Sequence, residues 1–172
     1  AKEELIRKTN SDLANNIGNL AQRVLAMVQK NCDAKIPTSA NLEAEDIDLL
    51  NKGYALLTEM RSFMEELNFT AYLNEVIKFA NLANEYVDRN APWQLKKTDT
   101  QRMEAVLYTV LEVTRINSLY LLSFMPESIG KMLDSLNVKA EERNLSCLNS
   151  EYALKSDIML PKPMPIFQRF NK

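Results

Sequence analysis

The sequence has no histidine among its 172 residues. That absence removes the commonest general base, a usual member of nucleophilic triads and the most frequent zinc ligand together. Glycine is nearly as scarce: three are present, Gly18, Gly53 and Gly130, and each falls inside a helical pattern, which leaves no glycine-rich loop to cradle a phosphate. The two cysteines, Cys32 and Cys147, are far apart and lack CxxC spacing, so they suggest neither a metal knuckle nor a disulfide framework and suit idle thiols in a reducing compartment. No apolar run approaches the roughly 20 residues that a membrane span needs, and the N-terminus is charged from Lys2 to Lys8. A soluble, cytoplasmic protein with no membrane partner is expected. The formal net charge of -2 argues against a grip on nucleic acid through a broad basic field. DNA is not an expected partner, any RNA contact has to be local, and no catalytic residue or metal site is expected in this chain.

What is present is helical periodicity. With 46% hydrophobic residues, the chain is long enough to bury one core, and a single domain over 1–172 is the natural expectation. Leu13, Ile17, Leu20, Val24 and Met27 alternate by four and three, predicting an amphipathic helix from Glu3 to about Asn31. Pro37, Thr38 and Ser39 mark a loop over Asp33 to Asn41. A second helix is predicted from Glu43 to Leu67 with Ile47, Leu50, Tyr54, Leu57, Met60 and Met64 inward, ending in a break with a cap at Thr70. The third runs from about Ala71 to Asn90 and is stopped by Pro92, which disfavours an α conformation at Ala91 and leaves Trp93 just past a helix end. After a polar stretch from Thr98 to Gln101, a fourth helix reaches about Phe124 and is apolar on nearly every side from Ile116 to Met125, as a central helix should be. Pro126 suits the first turn of a fifth helix to about Leu136. The economical architecture is all-α: an antiparallel bundle of about five helices over 1–137, a weaker helical or loop region over 138–160, and an extended strap over 161–172 carrying Pro161, Pro163 and Pro165.

Recognition chemistry is concentrated in two places. Asn15, Asn19 and Arg23 form one polar ridge on the first helix, because each step of four returns to nearly the same face. Amides that donate and accept, beside a rigid guanidinium fork, are the equipment for reading the edge of an unpaired base; an ordinary solvated face with Gly18 easing helix contact is the plainer reading of the same residues. Trp93, the lone tryptophan, is either a stacking platform for a base or a packing anchor over the bundle end. Asn81, Asn84 and Asp88 line a ridge running up to that corner and either position Trp93 or face water. The acidic cluster of Glu43, Glu45, Asp46 and Asp48 sits at a helix start, where the helix dipole favours negative charge.

Three stretches carry a family resemblance. The run NSDLANNIGNLAQR from Asn10 to Arg23 resembles the opening helix of the anticodon-binding domain of methionyl-tRNA synthetases. ANEYVDRNAPW from Ala83 to Trp93 resembles that family's second signature, LLSFMP from Leu121 to Pro126 its third, and the end near Pro165 to Arg169 its C-terminal strap. The resemblance implies that Asn19, Arg23 and Trp93 read the anticodon, Trp93 by stacking on a base and the other two by hydrogen-bonding a cytosine edge, with Asn15, Asp88 and Pro92 as neighbouring contacts or supports. It further implies methionine tRNA with a CAU anticodon as partner. A Rossmann-type catalytic domain, absent from this chain, would use ATP and Mg²⁺ to activate methionine, so the chain alone is expected to be inactive, without a cofactor, and a piece of a longer enzyme. A helical protein-interaction module without RNA binding is the alternative.

Overall fold

The computed structural model describes residues 1–162, so most of the expected strap, from residue 163 onward, lies outside the described residues. Seven α-helices follow in order: α1 Lys2–Asn31, α2 Ala44–Ala55, α3 Leu57–Glu65, α4 Phe69–Asn90, α5 Pro92–Thr98, α6 Thr100–Leu121 and α7 Pro126–Ser135. Five of them have ten residues or more, which matches the expected bundle; α3 and α5 are the short additions. Beyond α7 come single 3₁₀ turns at Ala140–Glu142, Leu145–Cys147 and Ser150–Tyr152. Among the described residues the β structure is confined to an isolated antiparallel bridge between Lys35 and Met159.

The bundle is organised around α6, which is buried continuously from Ala105 to Leu121. Apolar stripes from α1 (Leu13, Ile17, Val24, Val28), α4 (Leu73, Val76, Ala80, Ala83) and α7 (Ile129, Met132, Leu133) close on it, as amphipathic helices must to remove their faces from water. The helix is central as expected, and just before its apolar stretch from Ile116 it buries two charged residues, Glu112 and Arg115, at 0% and 1% exposure. They pair through Arg115 Nε to Glu112 Oε1 at 2.7 Å. The remaining bonding capacity goes to the region after α7: Arg115 donates to the carbonyls of Cys147 at 2.9 Å and Asn149 at 3.3 Å, and the Leu154 N–H donates to Glu112 at 3.1 Å. Tyr54 also donates to Glu112. The stretch over 138–160, which carries no helical period, is thus tied to the core by main-chain contacts with a buried ion pair.

The single second helix expected from Glu43 to Leu67 is two, interrupted at Leu56. The cause lies on α6: the Tyr120 hydroxyl donates to the Gly53 carbonyl at 2.7 Å, taking the acceptor that the Leu57 N–H would use in an unbroken helix. Gly53 lets the Phe79 ring of α4 pack directly on the α2 backbone here, since a Cβ would stand 2.6 Å from Phe79 Cζ. Ile47 points outward, at 45% exposure, against the expectation that it faces the core, because the buried face of α2 carries Asp46, Leu49, Leu50 and Gly53. The cap of α4 is Asn68 rather than Thr70; its side chain accepts from the Ala71 N–H at 3.2 Å.

Candidate nucleic-acid interface

The polar ridge of α1 and the Pro92 corner meet. Arg23 lies with its guanidinium carbon 4.3 Å from the centroid of the Trp93 ring, a cation–π contact of the kind worth about 0.5–1 kcal/mol at an exposed site. Arg23 is exposed and Trp93 half-buried, packed in part against the core cluster. Asn19, exposed, lies one helical turn before Arg23 on the same face, and half-buried Asn15 one turn before that. On α4, exposed Asp88 precedes buried Pro92 by four residues. The direct contact is therefore Arg23 with Trp93, flanked by the other four residues on their helices. Asn84, from the second polar ridge, hydrogen-bonds across to α1, its amide donating to Asn16 Oδ1 at 2.7 Å and to its own Ala80 carbonyl at 3.1 Å.

Trp93 is not simply past a helix end: it is the second residue of α5, a seven-residue helix that Pro92 opens. Pro fits there because its missing N–H has no intrahelical partner at a helix start. The turn from α4 into α5 is made at Ala91, whose φ of 43 and ψ of 67 lie in the left-handed region; the right-handed α conformation is indeed avoided, but for a compact turn instead of an extended one.

Behind this corner lies a buried polar cluster. Asp46, 0% exposed, accepts two bonds from Arg102, at 2.7 Å from Nη1 and 2.9 Å from Nη2, one from the Glu43 N–H at 2.8 Å and one from the Tyr86 hydroxyl. Arg102 also donates to Asn90 Oδ1 at 3.0 Å, and the Asn90 amide donates to the Tyr86 carbonyl at 2.9 Å. Burial works to raise the Asp46 carboxyl, but the hydrogen bonds from Arg102, Tyr86 and the Glu43 N–H, with the charge of Arg102, outweigh it and hold the group below its ordinary 3.8. Asp46 at the start of α2 conforms to the helix-dipole expectation, with acidic residues in its first turn. Its tie to α4 and α6 was not legible, because Arg102 is 56 residues away in sequence. Both thiols are free, and burial, helped by the charges of Glu104 and Asp33, pushes Cys32 up to about 11. Among the described residues no group of three or more His, Cys, Asp or Glu is placed to hold a metal ion, and no helix is long and apolar enough to cross a membrane.

A bundle with this helix order, an amide and guanidinium ridge and a half-buried indole at one corner has the fold of an aminoacyl-tRNA synthetase's anticodon-binding domain. Within that class, residues 36–171 match the family model described as the anticodon binding domain of methionyl tRNA ligase, and the chain belongs to that family. It is 41% identical to a methionine–tRNA ligase of Rickettsia bellii over 100% of this chain and 34% of the relative. It is 37% identical to that of Mesorhizobium japonicum over 98% and 33%. Among solved structures it resembles the free methionyl-tRNA synthetase of Mycobacterium tuberculosis with a TM-score of 0.87 and 33% identity, covering 98% of this chain and 34% of that one. The chain thus spans about a third of the relatives' length, 34% in the first case. Family membership does not favour the protein-interaction alternative.

Proposed function

We propose that residues 1–172 act as one domain that reads the CAU anticodon of methionine tRNA for a cytoplasmic methionine–tRNA ligase, whose ATP- and Mg²⁺-dependent catalytic domain lies outside this chain and attaches methionine to the tRNA. The observation that carries the reading is the Arg23–Trp93 contact at 4.3 Å. It puts a five-donor fork over the Trp93 ring, so a base that takes the guanidinium's place on that face has its edge within reach of the displaced Arg23 fork and, one turn away, Asn19. Two adjacent acceptors and one amino donor on cytosine match a guanidinium and a carboxamide. Asn15, Asp88 and Pro92 support the arrangement: Pro92 by fixing the start of α5 from a buried position, Asn15 and Asp88 by flanking it on α1 and α4. Phosphate contacts contribute affinity without sequence preference, so binding is expected to weaken with salt while the preference among loops persists.

The test is binding of the chain, at low and moderate salt, to anticodon stem-loops carrying CAU or a changed first base. The expected result is a preference for CAU that falls roughly tenfold or more in Trp93→Ala, the loss of one base stack. Equal binding of both loops by the folded wild-type chain overturns the reading.

A further inference from the structure

Between α4 and α6 the chain makes the short helix α5, packed on the bundle through Pro92, Trp93 and Leu95, and the two ends of this detour are joined by a hydrogen bond from the Arg102 guanidinium to Asn90 Oδ1 at 3.0 Å across 12 residues. Asn90 immediately precedes Ala91, whose left-handed φ of 43 is a conformation that a non-glycine residue holds when its surroundings impose it. Arg102 is itself fixed from behind by the two bonds to buried Asp46, and Asn90 is held from its other end by the Tyr86 carbonyl at 2.9 Å. Asn90 is thereby gripped on both sides at the residue where the chain turns toward Trp93. The opposite edge of the turn is sealed by buried Pro92.

We infer that Asn90 and Arg102 are positioning residues for Trp93: their hydrogen bond, anchored on Asp46, sets the turn at Ala91 and so holds the indole against Arg23 in the geometry that stacks a base. This rests on the anticodon-reading role proposed above for Trp93. Neither residue touches the RNA; their effect is on where the platform stands.

Trp93 is the lone tryptophan, so intrinsic fluorescence reports its surroundings without RNA present. Asn90→Asp keeps an oxygen for Arg102 and loses only the amide bond to the Tyr86 carbonyl, so it is expected to disturb Trp93 emission and acrylamide quenching less than Asn90→Ala. Asn90→Ala removes the bond, and Arg102→Lys keeps a charge beside Asp46 but lacks the fork to serve Asn90 as well. Both are expected to shift Trp93 emission to the red, raise its quenching and lower the preference for the CAU loop roughly three- to tenfold, with helical circular dichroism unchanged. Wild-type emission and loop preference in Asn90→Ala overturn the inference, as does an emission change in Asn90→Asp as large as in Asn90→Ala. Should Asn90→Ala fail to fold, Arg102→Lys supplies the same readout, and wild-type emission and loop preference there overturn the inference equally. If the emission pattern is as expected while the wild-type chain shows no preference for CAU, the positioning role stands and the proposed anticodon reading fails.

Discussion

Two buried carboxylate–arginine pairs divide the work of holding this bundle, and they do it differently. Asp46 and Arg102 join residues 56 apart in sequence, one on α2 and one on α6, with α4 drawn in through Tyr86 and Asn90. Glu112 and Arg115 are three residues apart on one helix and join nothing by pairing; what they hold is the aperiodic stretch after α7, gripped at Cys147, Asn149 and Leu154. The first pair is a bolt between helices beside the candidate interface. The second is a rail fixed to the central helix along which irregular chain is hung. A buried pair therefore stabilises through the extra hydrogen bonds it offers as much as through its own attraction, since desolvation offsets much of the Coulomb gain.

The sharpest break in this comparison is Arg115→Ala. It leaves Glu112 charged at 0% exposure and strips two carbonyls of their donor, so a loss of about 3–5 kcal/mol in urea unfolding is expected. Loss of order should reach residues 145–154 first, seen as faster amide exchange there than in α1. Asp46→Ala is expected to cost less, about 2–3 kcal/mol, because Arg102 retains 12% side-chain exposure and a second acidic neighbour, Glu43, at 3.6 Å.

The two pairs should also separate in acid. The Asp46 carboxyl is held below its ordinary 3.8, so its contribution is fully present above that value and is lost as pH falls through the lower folded one. Melting temperature followed from neutral pH downward should drop more steeply in wild type than in Asp46→Asn; parallel curves would remove Asp46 as a source of acid sensitivity. Gly53→Ala tests the packing of α4 on α2 beside the break, since the added Cβ would meet Phe79 Cζ at 2.6 Å. Overpacking of this kind costs about 1–3 kcal/mol, and no change in the denaturant midpoint would show that the ring yields freely. The smallest effect is expected from Asn84→Ala, which removes an exposed bond to Asn16 and a local one to the Ala80 carbonyl and should change stability by about 1 kcal/mol or less.

Which parts could be read from sequence follows the same division. The periods of α1, α4, α6 and α7 are local, so their spans were legible to within a few residues. The interruption at Leu56 was not, because the hydroxyl that causes it comes from Tyr120, 67 residues from Gly53. The α5 helix escaped because seven residues give no repeat of a helical period, and Pro92 reads equally as a stop and as a start. At the interface, Arg23 and Trp93 were each legible from residue type and resemblance, while Asn90 and Arg102 carry no local signal; their importance exists only once α4 and α6 lie side by side. Residues 138–160 have no period, and much of their order is supplied non-locally: by Glu112 and Arg115, by the Tyr108 hydroxyl on the Leu154 carbonyl and by backbone bonds between residues 157–160 and the loop after α1.

That supply has a consequence for how this region tolerates change. What the ion pair grips is main chain, the carbonyls of residues 147 and 149 and the N–H of residue 154, and every residue type but proline offers both groups. The grip itself is indifferent to the side chains, although Cys147 and Leu154 also fill the core and Asn149 caps the following turn, whereas one residue inserted or deleted between them shifts the wrong atoms opposite the guanidinium and carboxylate. Here the quantity under constraint is the count of residues, and a library that varies letters at fixed length should yield far more folded members than one that varies length.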